Sequence, residues 1–201
     1  DNYPKGQTEM LEVPNNLENP DLGSRMVPFG RELYIEREDF MEEPPKKYFR
    51  LFPGNEVRLM GAYFVTCTGY EKDDKGQISV IHATYDPATK SGSGFEGRKV
   101  KGTIHWVLAD TAKKVECRLY ENIVDEEKGK LNADGTLNLN PNSLVVLKEC
   151  YVEPALAEAG AYDSFQFVRN GFFCADCKDS LPGAPVFNRI VSLKSSFKLP
   201  K

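Results

Sequence analysis

Histidine is nearly missing from this chain: only His82 and His105 occur among its 201 residues. Both sit in strand-like runs among apolar neighbours, so no Ser/His/Asp or Cys/His arrangement can be assembled around them. Phosphate loops are missing too, since neither GxGxxG nor GxxxxGK[ST] occurs. Cysteine is sparse and odd in number. Cys67, Cys117, Cys150, Cys174 and Cys177 lack the regular spacing of a disulfide framework. CADC, residues 174–177, is a lone CxxC, with no second CxxC and no nearby His pair to complete a zinc site. No apolar run approaches the roughly 18 residues of a membrane helix. No secretory leader pattern opens the chain. A cytoplasmic location without membrane contact is the expectation. Basic excess is also absent: 26 Lys and Arg against 30 Asp and Glu leave a formal net charge of -4. That total argues mildly against a nucleic-acid binder, although affinity depends on where the cations sit. These absences leave no catalytic residue, no metal ligand and no cofactor to assign within the chain.

What is present is alternation. In KVKGTIHW, Val100, Gly102, Ile104 and Trp106 share one face, and Lys99, Lys101, Thr103 and His105 share the other. In NEVRLM, Val57 and Leu59 oppose Glu56, Arg58 and Met60. RELYIE, QISVIHATY, VECRLYENI, SLVVLKECYV, SFQFV and PVFNRIVSL behave similarly. The 16 glycines and 13 prolines are scattered between these runs as turn punctuation. Asp73-Asp74-Lys75-Gly76 and Asn132-Ala133-Asp134-Gly135 read as hairpin turns, and Asn170-Gly171 as a tight two-residue turn. Asp86 to Gly97, rich in Gly and Ser, reads as a mobile loop. Glu38 to Glu43, stopped by Pro44-Pro45, and Pro154 to Ala159 are the only short helix signals. About a dozen short strands predict an all-β chain of two β-barrels with a few short helices. The boundaries read as one barrel of residues 1–112 plus 181–201, with residues 113–180 inserted as the second.

Binding is the remaining class of function. Lys46, Lys47, Arg50 and Arg58 fall within thirteen positions; Arg98, Lys99 and Lys101 form a second basic cluster, and Lys113, Lys114 and Arg118 a third. Single-stranded RNA is held by cations on its backbone, by aromatic stacking and by hydrogen bonds to splayed bases. KKYFR, residues 46–50, carries that mixture. Read as a strand, it puts Tyr48 and Arg50 on one face and Lys47 and Phe49 on the other. A hairpin at Pro53-Gly54-Asn55 would bring Arg50 towards Arg58. FQFVR, residues 165–169, is a second mixture: Phe165 and Phe167 point inward, Gln166 outward to a base edge, and Arg169 to a stack or a phosphate. Ordinary amphipathic strands with solvated cations are the plain alternative.

Several segments together resemble the C-terminal half of glutaminyl-tRNA synthetases. They are GSRMVPF (23–29), YIEREDF (34–40), NEVRL (55–59), KVKGTIHWV (99–107), RLYENI (118–123), ECYVEPAL (149–156), FQFVRNGFFCAD (165–176) and PVFNRIVSLK (185–194). They span nearly the whole chain in the family's order. Archaeal and eukaryotic-type glutamyl-tRNA synthetases are similar but match less closely. The two-barrel proteins that bind 5S rRNA share the architecture, and a protein-interaction module without RNA is a further alternative.

The resemblance implies proximal and distal anticodon-binding barrels and a glutamine tRNA partner carrying a CUG or UUG anticodon. It also implies a separate N-terminal catalytic domain using ATP with Mg²⁺, and a monomer. This chain lacks the adenylate-forming motifs and should not charge tRNA alone. Carried over by position, Lys47, Tyr48, Arg50, Arg58, Gln166, Arg169 and Ser196 become the candidate anticodon-binding residues. Phe49, Met60 and Val168 depart from the bacterial pattern, which has Lys, Arg and an acid there. Replacing Cys174 and Cys177 together by Ser should leave folding unchanged, measured by thermal denaturation. Stoichiometric zinc in the unmutated protein would contradict that reading.

Overall fold

A computed structural model describes residues 1–16, 18–125 and 128–193. The chain is all-β and divides into two compact units, Asp1–Thr111 and Ala112–Lys201. In the first unit, β1 (Glu9–Pro14) and β2 (Ser24–Phe29) form an antiparallel hairpin. The strands β3 (Leu33–Ile35), β4 (Glu56–Leu59), β5 (Phe64–Lys72), β6 (Ile78–Asp86), β7 (Thr103–Ile104) and β8 (Trp106–Leu108) follow. β3 pairs with β8, and the largest sheet has the order β6-β5-β4-β7, with β4 and β7 parallel. The second unit holds β9 (Lys113–Tyr120), β10 (Leu144–Val152), β11 (Ser164–Phe167), β12 (Gly171–Ala175) and β13 (Val186–Ser192), in the order β10-β9-β13-β12-β11. Helical structure among the described residues is limited to 3-10 turns at Pro20–Leu22, Arg37–Asp39, Pro87–Thr89 and Pro154–Glu158. None of these is long or apolar enough to cross a membrane.

Period-two burial explains the strands. Gly102, Ile104 and Trp106 are buried, while Lys101 and Thr103 are exposed and His105 is half-buried. Val57 and Leu59 are buried between half-buried Glu56, Arg58 and Met60. The first core is rich in aromatic edges: Phe29 meets Tyr3 at 5.2 Å, Trp106 at 5.0 Å and Tyr63 at 5.3 Å between ring centroids. Such offset and edge contacts add to the area each ring buries. Trp106 satisfies its ring N–H by donating to the Met60 carbonyl at 2.9 Å. The second core centres on Phe187, fully buried, with Phe167 at 5.2 Å and Phe165 at 5.9 Å.

The expected turns at Asp73–Gly76 and Asn132–Gly135 are present. The Asp73 carboxylate accepts from the Lys75 and Gln77 amides at 2.9 Å, and Gly76 takes positive φ. Five expectations need correction. β13 was expected in the first unit with residues 181–201. It pairs instead with β12 and, in parallel, with β9, so Val186–Ser192 completes the second sheet. The β11–β12 connection is Val168-Arg169-Asn170 rather than a two-residue Asn-Gly turn. Asn170 N–H closes it onto Phe167 O at 2.9 Å, and Arg169 takes the positive φ. The helix expected at Glu38–Glu43 is only the Arg37–Asp39 turn, because Phe40 bridges Leu51 instead. KKYFR is not a strand: Lys47 lies at φ 70°, which interrupts any extended run. Finally, the loop after Asp86 is tied down. The fully buried Thr89 hydroxyl accepts from Phe64 N–H at 2.8 Å and donates to Asp86 O at 2.7 Å.

Gly102 has a specific reason to be glycine. A Cβ there would lie 2.0 Å from the Phe49 carbonyl oxygen. Gly102→Ala must therefore push the backbone at residue 49 off β7, at a cost of about 1–3 kcal/mol. Chemical denaturation should show that loss; unchanged stability would mean the approach is looser than described.

Candidate nucleic-acid interface

Residues 46–50 cross the first unit as a loop whose shape is set from both ends. The Tyr48 N–H donates to Pro45 O at 3.2 Å, and Asn55 Nδ2 donates to Arg50 O at 2.7 Å. Within this loop the side chains divide. Tyr48 is buried, and its hydroxyl donates to Glu38 O at 2.9 Å. Its expected role at an RNA surface is corrected accordingly: the ring is part of the packing. Arg50 reaches the same turn, donating to Glu38 O at 3.0 Å with Nε 3.5 Å from the carboxylate of fully buried Asp39. Asp39 thus holds the guanidinium plane, a role that sequence reasoning missed because the two residues lie eleven positions apart. Lys47 is exposed. Phe49 is 48% exposed, with Lys101 Nζ 5.3 Å from its ring centroid. An open aromatic face beside a cation suits a stacked base.

Arg58, on β4, does not join Arg50 at a common partner. Its Nη1 donates to the Ser91 hydroxyl at 2.8 Å, and its Cζ lies 4.3 Å from the Phe64 ring centroid. Burial pushes its guanidinium pKa below the ordinary value. The other basic clusters of the sequence are partly neutralised. Arg98 is clamped by Glu56 and Asp86, which raise its pKa. Arg118 is similarly bound by Asp179 and Glu116, and Lys114 by Glu149.

In the second unit, alternation places Gln166 as expected. Phe165 and Phe167 turn into the core, and Gln166 is exposed. Its cross-strand partner on β12 is Phe172, whose partner on β13 is Val191; Phe172 and Val191 are 41% and 52% exposed. The amide therefore stands in a row with an open ring, which the sequence pattern did not single out. Arg169 is half-buried at φ 69°, in the neighbouring turn. Ser196 lies outside the described residues.

The CADC segment is organised by the residue between its thiols. The Asp176 carboxylate accepts from the amides of Asp179 at 2.7 Å and Lys178 at 2.8 Å, and from Asn188 Nδ2 at 2.6 Å. These donors hold its pKa down to about 2. Among the described residues no three His, Cys, Asp or Glu side chains group as metal ligands.

Two family models, each described as "tRNA synthetases class I (E and Q), anti-codon binding domain", match residues 1–86 and 103–176. The chain therefore belongs to the anticodon-binding domains of class I tRNA synthetases of the E and Q type. Its relatives point to the Q member of that pair. It is 54% identical to the glutamine–tRNA ligase of Clostridium perfringens and 57% identical to that of Clostridioides difficile, over 98% of the chain in each case. It is also 48% identical to the glutamine–tRNA ligase of Bradyrhizobium diazoefficiens, again over 98% of the chain. The chain spans 36% of the length of the first two and 35% of the third.

Because the folded pKa of Asp176 is depressed, its stabilisation is present above about pH 4 and is lost as pH falls towards 2. Asp176→Asn should cost about 1–2 kcal/mol at pH 7. It should also flatten the stability profile between pH 4 and 2 in denaturation titrations. Parallel profiles for the two proteins would remove Asp176 from the acid response.

Proposed function

We propose that the chain binds the anticodon loop of glutamine tRNA as part of a glutamine–tRNA ligase. In that enzyme a separate catalytic domain would attach glutamine using ATP and Mg²⁺. The observation that carries this reading is the pair of anticodon-binding family matches, one on each compact unit, together with about half identity to glutamine–tRNA ligases across the chain. On this reading the first unit is the proximal module and the second the distal one, and the protein works as a cytoplasmic monomer.

Recognition would proceed by unstacking the loop. Phe49 offers a ring for one base, with Lys101 beside it to meet the charge of the backbone. Arg50, held flat by Asp39 and Glu38, presents its remaining N–H groups as a preorganised donor. Gln166 presents both an acceptor and a donor to a base edge, next to the exposed Phe172 ring. Lys47 and Arg169 would add cations, and Ser196 a hydroxyl. Phe49 stands where the bacterial pattern has Lys, so stacking replaces charge at that position.

Filter binding with glutamine tRNA, glutamate tRNA and 5S rRNA tests the reading. Glutamine tRNA should bind most tightly, with affinity falling as salt rises. Preference for 5S rRNA, or no salt-dependent binding, would overturn it. Arg50→Ala should weaken tRNA binding roughly tenfold without changing specificity for other RNA. Gln166→Ala should shift discrimination among anticodon variants by about 1–3 kcal/mol. Equal loss on every variant would reassign Gln166 to packing or backbone contact.

A further inference from the structure

Arg58 stands apart from the other half-buried arginines. Arg50, Arg98, Arg118 and Arg189 each meet a carboxylate. Among the described residues Arg58 meets none; its partners are the Ser91 hydroxyl and the Phe64 ring. A guanidinium withdrawn from water without a counter-charge is costly unless an anion completes it. Ser91 is rigidly placed. Its N–H and its hydroxyl both donate to Ala62 O, at 2.8 and 2.9 Å, so the hydroxyl oxygen is left to accept from Arg58. One edge of the guanidinium is thereby held and the rest is left for a ligand.

Beside it lies an open pocket of about 420 Å³, bounded by Arg58, Lys90, Ser91, Phe95, Glu96 and two glycines. The Phe95 ring is supported by Phe64 at 5.9 Å and by Arg98 at 5.5 Å. Lys90 is already neutralised by Glu9 at 2.8 Å, which leaves Arg58 as the principal anion donor. Glu96 is the one acid on the wall and works against an anion.

We infer that this pocket receives a nucleotide phosphate, with Arg58 donating to the anion, Ser91 positioning Arg58, and the Phe95 side of the pocket taking the sugar and base. That the nucleotide belongs to a bound RNA rests on the tRNA-binding reading; the phosphate preference does not. The contact is to backbone, so it adds affinity without reading sequence.

Two measurements on the 201-residue chain separate these parts. In heteronuclear NMR, uridine 5′-monophosphate should shift the Arg58 Nε–H and the amides of residues 91–94, and uridine should not. Ser91→Ala should weaken that response, and Arg58→Gln should abolish it at the loop amides. Glu96→Gln, an exposed substitution, should tighten binding roughly twofold. An equal response to uridine, or none to either, overturns the phosphate assignment. In tRNA binding across a salt series, Arg58→Gln should reduce the slope of log affinity against log salt by about 0.9, equally for all anticodon variants. Wild-type tRNA binding with an unchanged Arg58→Gln slope overturns the site but spares the tRNA reading. A monophosphate response in a protein that ignores tRNA supports the site and removes the RNA.

Discussion

The close approach of the Phe49 carbonyl to Gly102 is the constraint around which the first unit's RNA-facing surface is built. A backbone can lie that near a strand only where no Cβ intervenes. Once it does, the loop carrying residues 46–50 has one path across the sheet. Tyr48 then falls inward to Glu38 O, Phe49 outward beside Lys101, and Arg50 back onto Asp39. Three neighbouring side chains thus acquire three different environments from one contact. The same strand edge supports β4, because Arg58 N–H donates to Gly102 O at 2.8 Å.

The acidic total of the chain is compatible with RNA binding because its charges are arranged locally. Many of the basic side chains at the sheet margins are consumed by acids: Arg98 by Glu56 and Asp86, Arg118 by Asp179 and Glu116, Lys90 by Glu9. Such pairs orient loops and contribute little to the outside field. What is left is small and placed: Arg58 in its pocket, Lys101 by an open ring, Lys47 on a turn. A polyanion is then met at chosen points, which suits an unstacked loop better than a uniform basic face does.

Much of the fold was legible from alternation. Ile104 and Trp106, Val57 and Leu59, Phe165 and Phe167 all face the core as their spacing requires, and Gln166 faces out. Turns with Asp or Asn before Gly were legible as well, because an Asp73 carboxylate capping its own turn is a local event. KKYFR misled for a physical reason. Its composition suits a strand, but Lys47 is held at positive φ while Tyr48 packs on a turn eight and more residues upstream. Residues 86–98 misled in the same way: Gly and Ser suggested freedom, and the buried Thr89 hydroxyl removed it.

By itself, the sequence determined the all-β class, which residues of each strand are buried, the absence of an assembled active site, and a family resemblance carried by strings spread along the chain. Those properties depend on neighbours two positions apart or on residue identity alone. Only the tertiary structure decided that β13 lies parallel to β9 and closes the second unit, that Asp39 holds Arg50, and that Arg58 opens on a pocket with Ser91. Each of those joins residues separated along the chain, where alternation is silent and geometry chooses the partner.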